Sequence, residues 1–206
     1  MSREEAAEAG ERGGEVSSSA QAAASARLVV RTALECSPQP IVLVDGPSGA
    51  GKSTFADLVV AAWPQRPARL VRMDDIYPGW QGLRPASHQV QSGLLAPLHA
   101  GRDGGWRRWD WTASEAAEWH AVVPGHPLVV EGCGCLTRST APLATLRVWL
   151  TADDDVRKRR ALARDAGAYD AHWDEWQTQW DRFVREEHPR ALADIVLDTT
   201  ELLRSD

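Results

Sequence analysis

The 206-residue chain carries a formal charge of −6 with a sequence pI near 5.5, and it is long enough for one three-layer α/β domain. Its acidity and the lack of a long basic run argue against a nucleic-acid partner. No apolar stretch approaches the roughly 20 residues of a bilayer span, so no membrane segment is expected. The only cysteines are Cys36, Cys133 and Cys135. With no secretory-type leader ahead of them, they fit a reducing, cytoplasmic setting. Cys133-Gly134-Cys135 has no second Cys or His pair at zinc spacing, which favours a packing role.

Residues 1–18, rich in Ala, Glu, Ser and Gly, are expected to form a disordered tail. That leaves 19–206 as a single domain. Within Ala20 to Cys36, the residues Ala26, Val29, Val30, Ala33 and Leu34 recur at helical spacing. Ser37-Pro38-Gln39-Pro40 stops that helix. Ile41 to Val44 is a continuous apolar run, as in a strand buried on both faces. A Gly-rich stretch follows, and then a helix from Lys52 to about Trp63. Further strands are predicted at Arg69–Met73, Pro127–Glu131, Thr145–Leu150 and Asp194–Leu197. Helical patterns lie between them at about Ser87–His99, Asp153–Ala166 and Tyr169–Glu187, with Trp173, Trp176 and Trp180 on one face. This alternation predicts an α/β fold with a parallel sheet and right-handed crossovers. Residues 101–123, Gly-rich and then Trp-rich, form an excursion from the sheet.

Gly46-Pro47-Ser48-Gly49-Ala50-Gly51-Lys52-Ser53 matches the phosphate-loop pattern at every fixed position. A buried strand precedes it and a helix follows. Glycines let backbone N–H groups close around phosphate oxygens, and the helix start adds positive potential. Lys52 is placed to reach the β- and γ-phosphates, Ser53 to ligate Mg²⁺, and Thr54 to reach the α-phosphate. Asp45 either touches Mg²⁺-bound water or serves as a strand-end turn residue. The guanine-reading motif of GTPases needs Asn, and the chain has none; ATP is therefore the expected nucleotide.

Val71-Arg72-Met73-Asp74-Asp75-Ile76-Tyr77 sets two carboxylates at a strand's carboxyl end, where open α/β sheets bind ligands. A carboxylate there can take the proton of an attacking hydroxyl, or it can simply cap a turn. These segments resemble the uridine kinase and phosphoribulokinase branch of P-loop kinases, which carries Asp-x-Phe-Tyr at this point. The resemblance implies that Asp74 is the base, with Asp75 and Tyr77 in the acceptor pocket. It continues through Leu94-Leu95 and Gly101 to Arg107-Arg108-Trp109-Asp110-Trp111, where Arg108, Trp109 and Asp110 are expected to bind the acceptor. Leu128-Val129-Val130-Glu131-Gly132 is similar to the branch's Glu-Gly strand end and implies Mg²⁺ holding by Glu131. Asp153 to Asp165 is similar to its lid helix and implies that Arg160 or Arg164 stabilises the transferring phosphoryl group.

The resemblance also implies a five-stranded sheet of order 2-3-1-4-5, ATP and Mg²⁺ as cofactors, and a small-molecule acceptor. Three acceptor readings stay open: a nucleoside-like hydroxyl, a monophosphate drawn by Arg107 and Arg108, or no acceptor, as in an ATP-binding regulatory module. Trp109 and Trp111 are either a stacking wall for a planar acceptor or a satellite core for the excursion.

Overall fold

The protein, described here by a computed structural model, is defined for residues 3–64, 67–164 and 169–202, with side chains from Ser18 onward and without that of Arg164. Its strands are β1 (Ile41–Asp45), β2 (Arg69–Arg72), β3 (Gly104–Asp110), β4 (Glu115–Val122), β5 (Leu128–Glu131), β6 (Leu146–Thr151) and β7 (Ile195–Asp198). Five of them form a parallel sheet in the order β2-β5-β1-β6-β7, while β3 and β4 form a separate antiparallel pair. Counting only the parallel strands, this is the order 2-3-1-4-5 implied by the resemblance. Each boundary of these five parallel strands lies within a residue of expectation.

The apolar run of β1 explains its central position. Val42, Leu43 and Val44 are fully buried, and successive side chains face opposite layers. Val42 and Val44 join Val29, Phe55 and Val59 beneath α1 (Arg3–Cys36) and α2 (Lys52–Ala61). Leu43 joins Leu94, Trp149 and Phe183 on the other face. The stretch expected to be a tail differs: α1 starts at Arg3. Ala, Glu and Arg, which dominate its first half, are strong helix formers. Met1 and Ser2 lie outside the described residues. The inward face of α1 is Ala22, Ala26, Val29, Val30 and Ala33. No helix among the described residues is long and apolar enough to cross a membrane.

On the opposite layer, α3 (Leu83–Gln89) runs through a π-helical turn (Val90–Leu95) into α4 (Ala96–His99). The start lies ahead of the predicted Ser87, because Pro85 is tolerated in a first helical turn. Pro97 has no N–H for the Gly93 carbonyl, and the widened turn precedes it. The excursion is a hairpin laid on this helix. A Cβ at Gly104 would meet Leu94 O at 2.6 Å, so only glycine permits that approach. The second half of the chain supplies α5 (Asp154–Arg164), α6 (Trp173–Glu187) and α7 (Pro189–Leu192). As predicted, α6 buries Trp173, Trp176 and Trp180, together with Phe183. Asp165 and Ala166, the end of the expected lid helix, lie outside the described residues.

Candidate active site

The loop 46–51 joins β1 to α2 at the carboxyl edge of the sheet. Gly46, Gly49 and Gly51 have positive φ angles of 151°, 80° and 77°, a conformation that L side chains rarely adopt. The loop closes on itself through Ala50 N–H to Pro47 O at 3.2 Å. Thr199, just past β7, donates from its hydroxyl to Ala50 O at 2.9 Å and fixes the far side. Asp45 fixes the near side. Its fully buried carboxylate accepts N–H groups from Gly46 (2.7 Å), Gly134 (3.1 Å) and Leu136 (2.7 Å). Asp45 is therefore a brace between the loop and the chain after β5, with its acceptor oxygens turned to backbone rather than to a metal-bound water. Burial raises its pKa to about 7 against the opposing pull of those N–H groups and Lys52.

Lys52 lies at the centre of the site. Its Nζ donates to Pro47 O at 2.9 Å and to Cys133 Sγ at 3.4 Å. Burial opposes its charge, but Cys133, Glu131, Asp45 and Asp74 outweigh burial and raise its pKa. Burial also pushes the Cys133 thiol up, against the pull of Lys52. Cys133 does more than pack. It also lies 3.5 Å from Ser48 Oγ and donates to Gly46 O at 3.3 Å.

Glu131 ends β5 and is 2% exposed, with the Ser53 side chain near enough to favour its charged form. Burial first and the nearby Asp74 second raise its pKa, opposed by Lys52 and Arg72. Arg72 Nη1 lies 3.1 Å from Glu131 Oε1, and its Nη2 lies 2.6 Å from Asp57 Oδ1. The Ser53 hydroxyl and Glu131 carboxylate thus stand together as hard oxygen donors, the kind that Mg²⁺ takes. Among the described residues there is no cluster of three or more His, Cys, Asp or Glu able to hold a metal by itself. Thr54, on the first turn of α2, is exposed.

Asp74 and Asp75 sit on a 3-10 turn (Met73–Asp75) directly after β2, both exposed. Asp74 acts electrostatically on both Lys52 and Glu131, so it lies within electrostatic reach of each. Burial and Asp74 raise the pKa of Asp75, while Arg72, Arg108 and His120 oppose them. Tyr77 departs from the expected acceptor pocket. It is 2% exposed, its ring packs edge-on against Trp176, and its hydroxyl donates to Cys133 O at 2.8 Å.

The hairpin residues are engaged with one another. Arg108 Nε donates to Glu118 Oε1 at 2.7 Å and its Nη2 lies 3.4 Å from Asp110 Oδ2. Asp110 also accepts the N–H groups of Thr112 and Ala113, each at 3.0 Å, and so shapes the turn. Arg107 donates to Ala117 O. Trp109 is half-buried on β3. It is Trp111, 39% exposed, that reaches the site: its Nε1 donates to Asp74 O at 2.8 Å.

Helix α5, expected from the resemblance to be a lid, lies against the phosphate loop through its backbone. A Cβ built on Gly49 would lie 1.8 Å from Arg157 O. The Arg157 guanidinium donates to Asp154 (2.7 Å) and Gln177 (3.0 Å). Arg160, expected at the phosphates, donates instead to Thr199 O (3.2 Å) and Thr200 O (3.0 Å). These carbonyls follow the last strand and need donors that the sheet cannot supply. Arg164 closes α5, and its side chain lies outside the described residues.

Sequence reasoning missed Arg72, Cys133, Trp80 and Tyr169. Arg72 was findable, since it pairs in register with Glu131 across two predicted strands. Tyr169, whose hydroxyl donates to Ser48 Oγ at 3.0 Å, belongs to no motif.

No protein-family model and no curated protein matches the chain. Solved structures do. One is described as a possible uridine kinase from Bacillus stearothermophilus, 17% identical over 78% of this chain and 89% of that one, with a TM-score of 0.53. Another is a candidate fructose transport system kinase from Silicibacter sp. TM1040, 20% identical over 84% of this chain and 98% of that one, with a TM-score of 0.55. At this identity the likeness establishes the fold: a P-loop kinase-like α/β sandwich.

Proposed function

We propose that the chain is a cytoplasmic, ATP-dependent small-molecule kinase that phosphorylates a nucleoside-like hydroxyl. The observation that carries this reading is Lys52 held in a phosphate-loop turn by Pro47 O, with Glu131 and Asp74 within its electrostatic reach. Lys52 supplies fixed positive charge where charge accumulates in the transferring phosphoryl group. Ser53 and Glu131 would hold Mg²⁺, which would supply positive charge to offset that of the nucleotide phosphates. Asp74 accepts the acceptor hydroxyl's proton as its oxygen bonds to the γ-phosphorus and the bond to the β,γ-bridging oxygen breaks, releasing ADP. Arg164 is the lid cation of this proposal, by resemblance. Asp75 is available to acceptor hydroxyls, whereas Asp110 is already engaged within the hairpin.

The monophosphate reading loses support, because Arg107 and Arg108 already donate to groups within the hairpin. The test is Mg²⁺-dependent ADP formation across nucleosides, nucleoside monophosphates and phosphosugars, with Asp74→Asn alongside. A nucleoside or polyol should raise turnover, and Asp74→Asn should lower that turnover by about 100-fold or more. Stimulation by monophosphates alone would overturn the acceptor assignment. ATP binding without any acceptor stimulation would favour a regulatory module.

A further inference from the structure

An unbroken line of aromatic side chains joins the Asp74 turn to the phosphate loop. At one end the Trp111 indole holds the Asp74 carbonyl, at 2.8 Å. The Trp111 ring lies 5.0 Å from that of Trp80, tilted by 56°. Trp80 stacks on Tyr169 at 5.3 Å and 14°. At the other end the Tyr169 hydroxyl donates to Ser48 Oγ at 3.0 Å. Trp80 is fixed from behind, with His172 stacked on it at 4.4 Å and Gln179 Nε2 donating to its carbonyl at 2.8 Å.

These residues come from three separate stretches: the hairpin turn, the loop after the Asp74 turn, and the chain entering α6. Trp111 and Trp80 are not among the fully buried side chains, so the line is not simply core. Its two polar ends are also specific. An indole N–H and a phenol O–H each satisfy one acceptor atom, one beside the proposed base and the other within the phosphate loop.

We propose that Trp111, Trp80 and Tyr169 are positioning residues that set the base turn at a fixed distance from the phosphate loop. This rests on the kinase reading. Phosphoryl transfer needs the attacking oxygen and the γ-phosphorus aligned closely, and small misplacements are costly. Tyr169 acts on the nucleotide side by orienting Ser48. Trp111 acts on the acceptor side by orienting the turn that carries Asp74. Trp80 couples the two.

The experiment starts from two variants that keep an aromatic ring in place. Tyr169→Phe removes only the hydroxyl, and Trp111→Phe removes the N–H donor. Calorimetric titration with Mg²⁺·AMP-PNP needs no acceptor, so it is independent of the acceptor's identity. Tyr169→Phe should weaken that binding by about tenfold, the loss of one oriented hydrogen bond. Trp111→Phe should leave it within about twofold while lowering kcat for the acceptor by about tenfold. Trp80→Leu should do both. In a double-mutant cycle on kcat/KM, Tyr169→Phe and Trp111→Phe should be non-additive. A line that merely packs would give lower melting temperatures with nucleotide affinity and kcat unchanged, or additive effects; either result overturns the proposal. Wild-type binding of Mg²⁺·AMP-PNP without any acceptor turnover would sink the kinase reading instead, leaving the Tyr169 effect on affinity to be judged by itself.

Discussion

Arg72 and Glu131 face each other in register at the carboxyl ends of β2 and β5, with Nη1 3.1 Å from Oε1. The carboxylate side chain is 3% exposed and the arginine 32%. Arg72 also reaches Asp57 on α2, so one guanidinium ties two strands and a helix beneath the proposed metal position. Breaking such a pair from one side leaves a buried charge without its partner.

Arg72→Met is expected to lower stability by about 2 kcal/mol, the low end for a buried pair because the arginine is partly solvated. Urea unfolding measures this. Glu131→Gln added to Arg72→Met should recover part of the loss, since the uncompensated charge is then gone. A single variant as stable as the wild type would show that the pair contributes nothing.

Asp45 predicts a pH dependence of stability. Its pKa rises from 3.8 to about 7 on folding. Between those values the folded state keeps a proton that the unfolded chain has lost. The stabilisation is therefore complete below 3.8 and disappears as pH rises through 7. Burial pushes Glu131 and Asp75 in the same direction. The carboxylates held low by arginines, such as Asp194, are ionised in both states over most of this window. Unfolding free energy should thus fall between pH 5 and pH 7. Asp45→Asn should flatten the slope while lowering stability by about 1 to 2 kcal/mol, because one of three N–H donors loses its acceptor. A wild-type slope of opposite sign would refute the assignment.

The sheet was legible from sequence because its signals are local: five short strand-like runs, a phosphate-loop motif and the breaks between them. The site was legible only where a motif carried it. Lys52, Ser53 and Glu131 fall together because each sits at a strand end or helix start whose place the fold dictates. Tyr77 was misplaced because Asp-x-x-Tyr does not say which way a ring turns, and here a tryptophan on a distant helix claims it. Cys133 reads as a small packing residue until the chain after β5 folds over Lys52. Contacts such as Ser48 with Tyr169 span 121 positions, and no local pattern encodes them.

Of the two arginines that the resemblance assigns to a lid, Arg160 is the one whose partners the structure describes. Arg160 is spent on the Thr199 and Thr200 carbonyls. Arg160→Met should cost stability, about 1 kcal/mol, by leaving those carbonyls short of a donor, and should lower kcat by less than about tenfold. Arg164→Met should lower kcat by about 100-fold or more, as expected on removing a transition-state cation. Steady-state assays of both variants on one acceptor decide the matter. The reverse ranking would mean that Arg160 leaves its carbonyls during turnover.

Gly49 tests whether α5 must lie on the phosphate loop. An added Cβ would stand 1.8 Å from Arg157 O, at a φ of +80°. Both features penalise Gly49→Ala, but only the first involves the lid. Gly79 separates them, since its φ is +75° and nothing lies within 4 Å of its Cβ position. Gly79→Ala should cost about 1 to 2 kcal/mol of backbone strain. Gly49→Ala should cost about 2 kcal/mol more from the steric conflict and weaken Mg²⁺·AMP-PNP binding by about tenfold or more, because α5 must shift away from the loop. Chemical unfolding and calorimetric titration of the two variants provide the comparison. If Gly49→Ala and Gly79→Ala lose the same stability and both bind nucleotide like the wild type, the contact between α5 and the loop is not required for binding.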